Sequence, residues 1–356
     1  MVPGPMGHLY PLIDRSSCID CALCRRICPS EGPVRLLKPS AAYAAWLKDP
    51  ADYKSSTSGG MAAALSRLIV SEGGVVYGCA MLPDIDVRHI RVDSPADLYK
   101  LKGSKYVQSD LRPIWKSLQE DVKSGRKVLF TGTPCQVAAV RNLFKTQPSN
   151  LYCVDLICHG VPSLESLRAH VRKVADCEHY EKVVFREGDG IYVVVVVVGI
   201  IDGAAKEVYR TSLSEQRYED WYINTFIDGF TYRDSCYKCA YARPERAGDI
   251  TIGDFWGLGA QQSAEEIPPH ENGCSVALVS TAKGRELFDA VRETLNVYER
   301  PVEEAVAGND QLRAPKKMNL LISLYRAINK HMKAPWLYFV LTKINNKWVR
   351  LKKSVF

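Results

Sequence analysis

Gly60-Met61-Ala62-Ala63-Ala64-Leu65-Ser66-Arg67-Leu68-Ile69-Val70-Ser71, then Gly73-Gly74, then Val75-Val76-Tyr77-Gly78-Cys79, is the stretch that decides the fold. Its first part is rich in helix formers and has apolar residues at helical spacing. The glycine pair ends the helix, and the β-branched run behind it reads as a strand. The alternation continues. A helix at 111–123 precedes Lys127-Val128-Leu129-Phe130, a short strand running into Thr131-Gly132-Thr133-Pro134-Cys135. A third strand covers Leu151 to Cys158 and ends in Cys158-His159-Gly160. Helices alternating with short apolar strands predict an α/β fold with α+β features. The chemically interesting residues fall at strand C-terminal ends, where open α/β sheets bind ligands.

Outward from this core, residues 181–210 read as a strand pair, with Phe185 and the valines Val193 to Val198 on either side of a turn-like Glu187-Gly188-Asp189-Gly190. The apolar run Ile191 to Ile201 is too short for a bilayer span, which needs about 20 residues, and reads as a buried strand. No internal repeat is visible. The chain has 356 residues, 46% hydrophobic and 24% charged, as expected of a globular protein with a sizeable core. Its start carries no basic and apolar signal sequence. Twelve cysteines without an export signal argue against a disulfide framework and for metal or redox work in the cytoplasm.

Charge is unevenly spread. The chain holds 47 basic and 40 acidic residues, and eleven of the basic ones lie in residues 311–356, which contain no Asp or Glu. The remaining 310 residues carry 36 basic against 40 acidic groups. This basic tail includes Leu320, Leu321, Leu324, Trp336, Leu337, Phe339, Trp348 and Phe356. It suits either a helix docked on the body with a solvated basic face or peripheral contact with an anionic membrane at its inner face. Nucleic acid is not an expected partner, because the body is acidic and carries no nucleic-acid motif.

Residues 1–35 are too short for a core of their own. Cys18-x2-Cys21-x2-Cys24-x3-Cys28-Pro29 is the spacing of a bacterial ferredoxin run and points to a [4Fe–4S] cluster. A zinc site is the weaker alternative, since zinc usually takes two separated CxxC hooks. In two-cluster ferredoxins the fourth cysteine serves the other cluster. Cys28 is therefore either the fourth ligand here or a ligand without its partner. Gly7 to Asp14 resembles the linker between two ferredoxin halves, which suggests a chain starting inside such a domain.

A second set is dispersed: Cys135 in TGTPCQ, Cys158 in DLICHGVP, and Cys236 with Cys239 in CYKC. A lone CxxC also suits zinc or a disulfide, but with two cysteines at strand ends it makes a four-thiolate set. Thr57-Ser58-Gly59-Gly60, the run from Gly103 to Asp110, TGTPCQ, ICHGVP, CYKC and the run from Asp249 to Gly257 follow one another in order. Over roughly residues 1–315 this resembles the coenzyme F420 hydrogenase/dehydrogenase beta-subunit family. That family includes chlorophyll-cycle reductases and bacterial proteins found near polysaccharide-synthesis functions. The resemblance implies an iron–sulfur flavoprotein in which Cys135, Cys158, Cys236 and Cys239 ligate a [4Fe–4S] cluster beside an FAD.

For the flavin, Ser58, Gly59 and Gly60 before a helix offer free backbone N–H groups and the positive end of a dipole to a pyrophosphate. A glycine pair before a helix is by itself usually a turn. Gly103, Ser104, Lys105 and Tyr106 are further expected cofactor contacts, Lys105 as a point charge, with Thr131, Gly132 and Thr133 near the cluster. His159 is the candidate catalytic residue, as proton relay or cluster neighbour, with a structural histidine as the plain alternative. Asp254-Phe255-Trp256 would shape the substrate side. Cys79, Cys153, Cys177 and Cys274 read as buried small hydrophobes.

The expected organisation is a partial ferredoxin-type segment at 1–35, a flavin-binding region at 50–135, a region with the second cluster at 136–310, and a helical basic tail at 311–356. The expected activity is electron transfer between a ferredoxin-type or F420 partner and an unknown small-molecule substrate through one or two clusters and FAD, in a polysaccharide or envelope setting. The alternatives are an electron-transfer subunit serving a separate enzyme and a zinc-stabilised scaffold.

Overall fold

The computed structural model describes residues 1–343 apart from 33, 145, 188–192 and 215–218. A hairpin of β1 (Val2–Pro3) and β2 (Leu9–Tyr10) leads into the cysteine loop and the short α1 (Leu23–Ile27). Then follow β3 (Ala41–Leu47), α2 (Pro50–Lys54), α3 (Met61–Ser71), β4 (Val75–Leu82), β5 (Asp86–Val92), α4 (Trp115–Lys123), β6 (Val128–Gly132), α5 (Pro134–Leu143) and β7 (Leu151–Leu156). After these come α6 (Leu164–Val174), β8 (His179–Arg186), β9 (Val193–Ile201), β10 (Ala204–Ser212), α7 (Trp221–Ile227), β11 (Ile250–Asp254) and β12 (Ser275–Val279). The chain continues through α8 (Ala282–Val291), β13 (Leu295–Arg300), α9 (Val302–Gly308) and α10 (Leu320–Met332).

The α/β expectation holds. An eight-stranded mixed sheet runs β13-β3-β12-β11-β7-β6-β4-β5. Its middle, β4, β6, β7 and β11, is parallel and its flanks are antiparallel. A parallel region needs cover on both faces. Met61, Leu65 and Ile69 of α3 pack with Leu287 and Phe288 of α8 on one face, and Leu118 of α4 with Val137 and Val140 of α5 on the other. The sheet takes strands from both predicted family regions, since β6 pairs with β7, and it also includes β3, which lies before both.

The helix ending at Ser71 and the strand beginning at Val75 match the sequence reading, while β7 stops at Leu156, leaving Cys158 in the loop beyond it. The β3 strand, AAYAAWL, is buried throughout and has no alternation to betray it. The valine run forms β9 at the centre of a separate β10-β9-β8 sheet. Residues 188–190 of the expected turn lie outside the described residues. This small sheet shares a core with α6, α7 and α10: Leu167, Phe185, Val195, Val197, Tyr222 and Tyr325 belong to one buried cluster. Among the described residues no helix is long and apolar enough to cross a membrane.

Candidate functional site

The parallel strands converge on one cavity of about 360 Å³, β6, β7 and β11 through their C-terminal ends and β4 through its middle. Cys79 enters its wall from β4, Thr131 and Gly132 from β6, Cys158 and His159 from beyond β7, and Asp254 from β11. Such a crevice is the expected ligand site of an open sheet. The volume is within the ordinary range for small-molecule pockets.

Of the residues read as cofactor contacts, Ser58, Gly60, Gly103, Ser104, Lys105, Tyr106, Thr131, Gly132 and Thr133 line this cavity. Gly59 does not. A Cβ there would stand 2.1 Å from the Ala45 carbonyl oxygen and 2.7 Å from the Ser275 nitrogen, so its role is close packing against β3 and β12. Gly60 caps α3 at φ +78, a conformation glycine adopts without strain. Ser58 is also left-handed at φ +58, and its buried Oγ has no hydrogen-bond partner among the described residues. A buried hydroxyl left unsatisfied beside a helix N-terminus is what a ligand oxygen would complete.

Lys105 donates to the carbonyls of Leu101 (3.0 Å) and Lys102 (2.7 Å). Burial lowers its pKa to about 8, partly countered by Cys79. Tyr106 stacks on Phe226 with ring centroids 4.7 Å apart and accepts a hydrogen bond from Arg186. Arg186 Nη1 also pairs with Asp254 at 2.8 Å. Trp256 lines the same side and is partly exposed, while Phe255 is buried in a core cluster. Asp254 and Trp256 therefore do shape the cavity.

Another wall is an oriented hydrogen-bond chain that the sequence reading missed. His89 Nε2 lies 3.0 Å from the Thr131 carbonyl, which can only accept, so Nε2 carries the hydrogen and Nδ1 accepts from Ser109 Oγ at 3.0 Å. Gln136 Nε2 donates to the same Oγ at 2.9 Å, and Gln136 Oε1 accepts from Thr133 N. The T-x-x-Q spacing of Thr133 and Gln136 is a capping box, a sequence signal by which this wall could have been found. Thr133 Oγ1 lies 3.2 Å from Cys135 Sγ. His159 accepts at Nδ1 from Gln311 Nε2 (2.7 Å), which fixes its hydrogen on Nε2, and the surrounding protein lowers its pKa. Cys79 corrects the sequence reading, for it is part of the cavity wall and not simply a buried hydrophobe. Cys153 and Cys274 are buried as expected, and Cys177 packs on a core.

Behind Cys158 the dispersed thiols come together. Cys135 is exposed and Cys158, Cys236 and Cys239 are half-buried; loss of surrounding water pushes up the pKa of Cys135, of Cys158 and, to about 12, of Cys236. A further cause is mutual: Cys158 feels negative charge at Cys135, Cys236 and Cys239, and Cys236 feels Cys135 and Cys239. Four apposed thiols whose anions oppose one another fit a cationic core bound by all of them. Among the described residues no group of three or more His, Cys, Asp or Glu side chains is arranged to hold a metal ion. Arg246, fully buried, latches the CYKC hook in place. Nη1 donates to the carbonyls of Tyr241 and Arg243 (both 3.1 Å), Nη2 donates to the carbonyl of Leu156 (3.2 Å), and Asp155 lies 3.3 Å away as counter-ion.

The N-terminal set is more open. Cys18, Cys21 and Cys24 are exposed and Cys28 is half-buried. Their loop docks beside α5, the helix that carries Cys135, and Asn142 Nδ2 donates to the Gly32 carbonyl at 3.2 Å. Tyr241 stands between the two sets. Its hydroxyl donates to the Pro29 carbonyl at 2.7 Å, and after burial the charges that raise its pKa are those of Cys135, Cys239 and Cys28.

Residues 125–305 match the family described as the C terminus of the coenzyme F420 hydrogenase/dehydrogenase beta subunit. The chain belongs to this family. All four dispersed cysteines, the TGTPCQ loop and Asp254 lie inside the match, whereas Cys18 to Cys28 and Ser58 to Gly60 lie before it. Membership in the F420 hydrogenase/dehydrogenase beta-subunit family makes this a redox protein of a family associated with iron–sulfur clusters. The chain is also similar to one in a xenon-derivatised structure of the F420-reducing [NiFe] hydrogenase complex from Methanosarcina barkeri. That likeness has 19% identity over 84% of this chain and 92% of the other, at a TM-score of 0.49. No curated protein matches the chain.

Proposed function

We propose that the protein is an iron–sulfur flavoprotein oxidoreductase that moves electrons between a ferredoxin-type or F420 partner and a small-molecule substrate. Bound clusters would carry single electrons, and bound FAD would exchange them for pairs at a substrate. The observation that carries this reading is that Cys158 belongs at once to the four-thiol set and to the wall of the large cavity.

The chain's own residues divide the work. Cys135, Cys158, Cys236 and Cys239 hold one cluster, and Cys18, Cys21, Cys24 and Cys28 a second, more exposed one open to a partner. The α3 N-terminus with Ser58 and Gly60 receives the flavin pyrophosphate, and Lys105 adds positive charge. The Arg186–Asp254 pair, Trp256 and His159, whose Nε2–H is free to donate, furnish room and polarity for a substrate. That furnishing favours an enzyme over a bare relay.

Anaerobic purification followed by iron, acid-labile sulfide and flavin analysis tests the reading. Iron, sulfide and FAD are expected together, with iron lowered in Cys135→Ser and unchanged in Cys153→Ser. A colourless, zinc-loaded protein would end the proposal.

A further inference from the structure

Up to residue 343 the tail is fastened to the body along one side. Ile322 and Tyr325 of α10 are buried, and beyond the helix so are Ala334, Tyr338 and Leu341. Arg326 donates to the Tyr232 carbonyl at 2.7 Å and pairs with Asp234, and Lys333 faces Glu165 at 3.8 Å. The cations turned toward the body are therefore matched by its carboxylates.

Among the described residues nothing covers the other side. Leu320, Leu324, Ile328 and Met332 recur every fourth residue, so they form one continuous ridge along α10. Leu320 is 83% exposed and Met332 67%, and past the helix Trp336 and Val340 are exposed as well. Scattered apolar side chains on a surface are ordinary, but a contiguous row marks an interaction site. Around it Lys317, Lys330 and Lys343 are exposed and have no ion-pair partner among the described residues. No Asp or Glu occurs from 311 onward to oppose them.

We propose that this outer face of the tail docks on an anionic lipid bilayer. The charges select the occupant. A second copy of the chain would press lysines against lysines, whereas anionic headgroups complement them. An apolar ridge with a flanking tryptophan and lysines suits the depth profile of a bilayer interface, rings at the headgroup level and aliphatic side chains below. Docking of this kind needs no membrane-crossing segment.

The test is co-flotation of the full-length, cofactor-loaded protein with vesicles. Phosphatidylcholine vesicles with and without phosphatidylglycerol are compared at low and high salt. Binding is expected only to the anionic vesicles, weakened by salt, and reduced about fivefold for each of Lys317→Gln and Lys330→Gln. Leu320→Glu with Leu324→Glu should abolish flotation while leaving flavin and iron content unchanged, since both side chains already face water. Absence of flotation overturns the proposal, as does flotation that the double variant retains. So does a dimer in gel filtration that the double variant dissociates, because the face would then join two copies. Capture of the wild type by a purified redox partner through this same ridge, with no lipid binding, would also overturn it.

Discussion

Tyr241 donates its phenolic hydrogen to the Pro29 carbonyl at 2.7 Å, joining the CYKC hook to the end of the N-terminal cysteine run. Two motifs more than 200 residues apart are thereby tied together through the buried Tyr241 side chain. Tyr241→Phe keeps the ring and removes the bond. A net loss of about 1 kcal/mol in stability is expected, visible as a lower denaturant midpoint. If the ring and its hydroxyl also fix the spacing of two clusters, stopped-flow reduction should show unchanged reduction of the exposed cluster and slower reduction of the inner one. Coincident phases in wild type and variant would count against electron passage along this line.

The alternating helices and strands and the cavity's place at strand ends are legible in the sequence, because each rests on local periodicity or on residues at strand ends. The grouping of Cys135, Cys158, Cys236 and Cys239 is not of that kind, and only the resemblance to a family suggests it. What stayed hidden depends on long-range contact. Nothing around Arg246 announces that its guanidinium will meet Leu156 and Asp155 some 90 residues earlier. His89 sits in an ordinary-looking strand, and its role emerges only when Ser109 and Gln136 arrive beside it. Cys79 was misread because its apolar neighbours suggested a core, whereas β4 presents it to the cavity. Gly59 erred in the opposite direction: a glycine in a suggestive motif serves the packing of the backbone behind it.

Arg246 and Asp155 form a buried pair whose members cannot be removed singly without cost. Arg246→Leu would leave the Asp155 carboxylate deprived of its cation and three carbonyls without their donor. Such breakage typically costs about 3–5 kcal/mol. Because the same guanidinium holds the Tyr241 carbonyl, the CYKC hook should loosen too. Lower iron content at matched folded fraction, measured by circular dichroism and iron assay, is the expected result. A fully iron-loaded variant would show that the hook is held by other contacts.

Acid should weaken the fold through two buried histidines. Burial lowers His8 and His89 from the ordinary 6.5 to about 4 each, chiefly by removing water from the charged form. The unfolded chain therefore takes up these protons first as pH falls. The stabilisation is complete above pH 6.5, declines as pH drops toward 4, and changes no further below that. Each group is worth up to about 3 kcal/mol across this window. Urea midpoints at pH 7, 5.5 and 4.5 measure it. His89→Gln, which keeps a donor for Thr131, should flatten the decline, and an unaltered slope would remove His89 from the account.

Ser58 and Gly59 are neighbours with opposite assignments, and substitution separates them. Ser58→Ala deletes a buried hydroxyl that has no partner among the described residues, so the flavin-free protein should be as stable as wild type or slightly more so. If that hydroxyl completes a bond to a flavin phosphate, FAD affinity should fall about tenfold, in line with the about 1.5 kcal/mol or more of a hydrogen bond to a charged group. Gly59→Ala instead drives a methyl against the Ala45 carbonyl and should cost about 3 kcal/mol of stability. Its effect on FAD would then track the loss of fold. Fluorescence titration with FAD alongside urea unfolding distinguishes the two. Wild-type affinity in Ser58→Ala would mean that the phosphate does not sit at the α3 N-terminus, and the flavin would have to be sought elsewhere along the cavity.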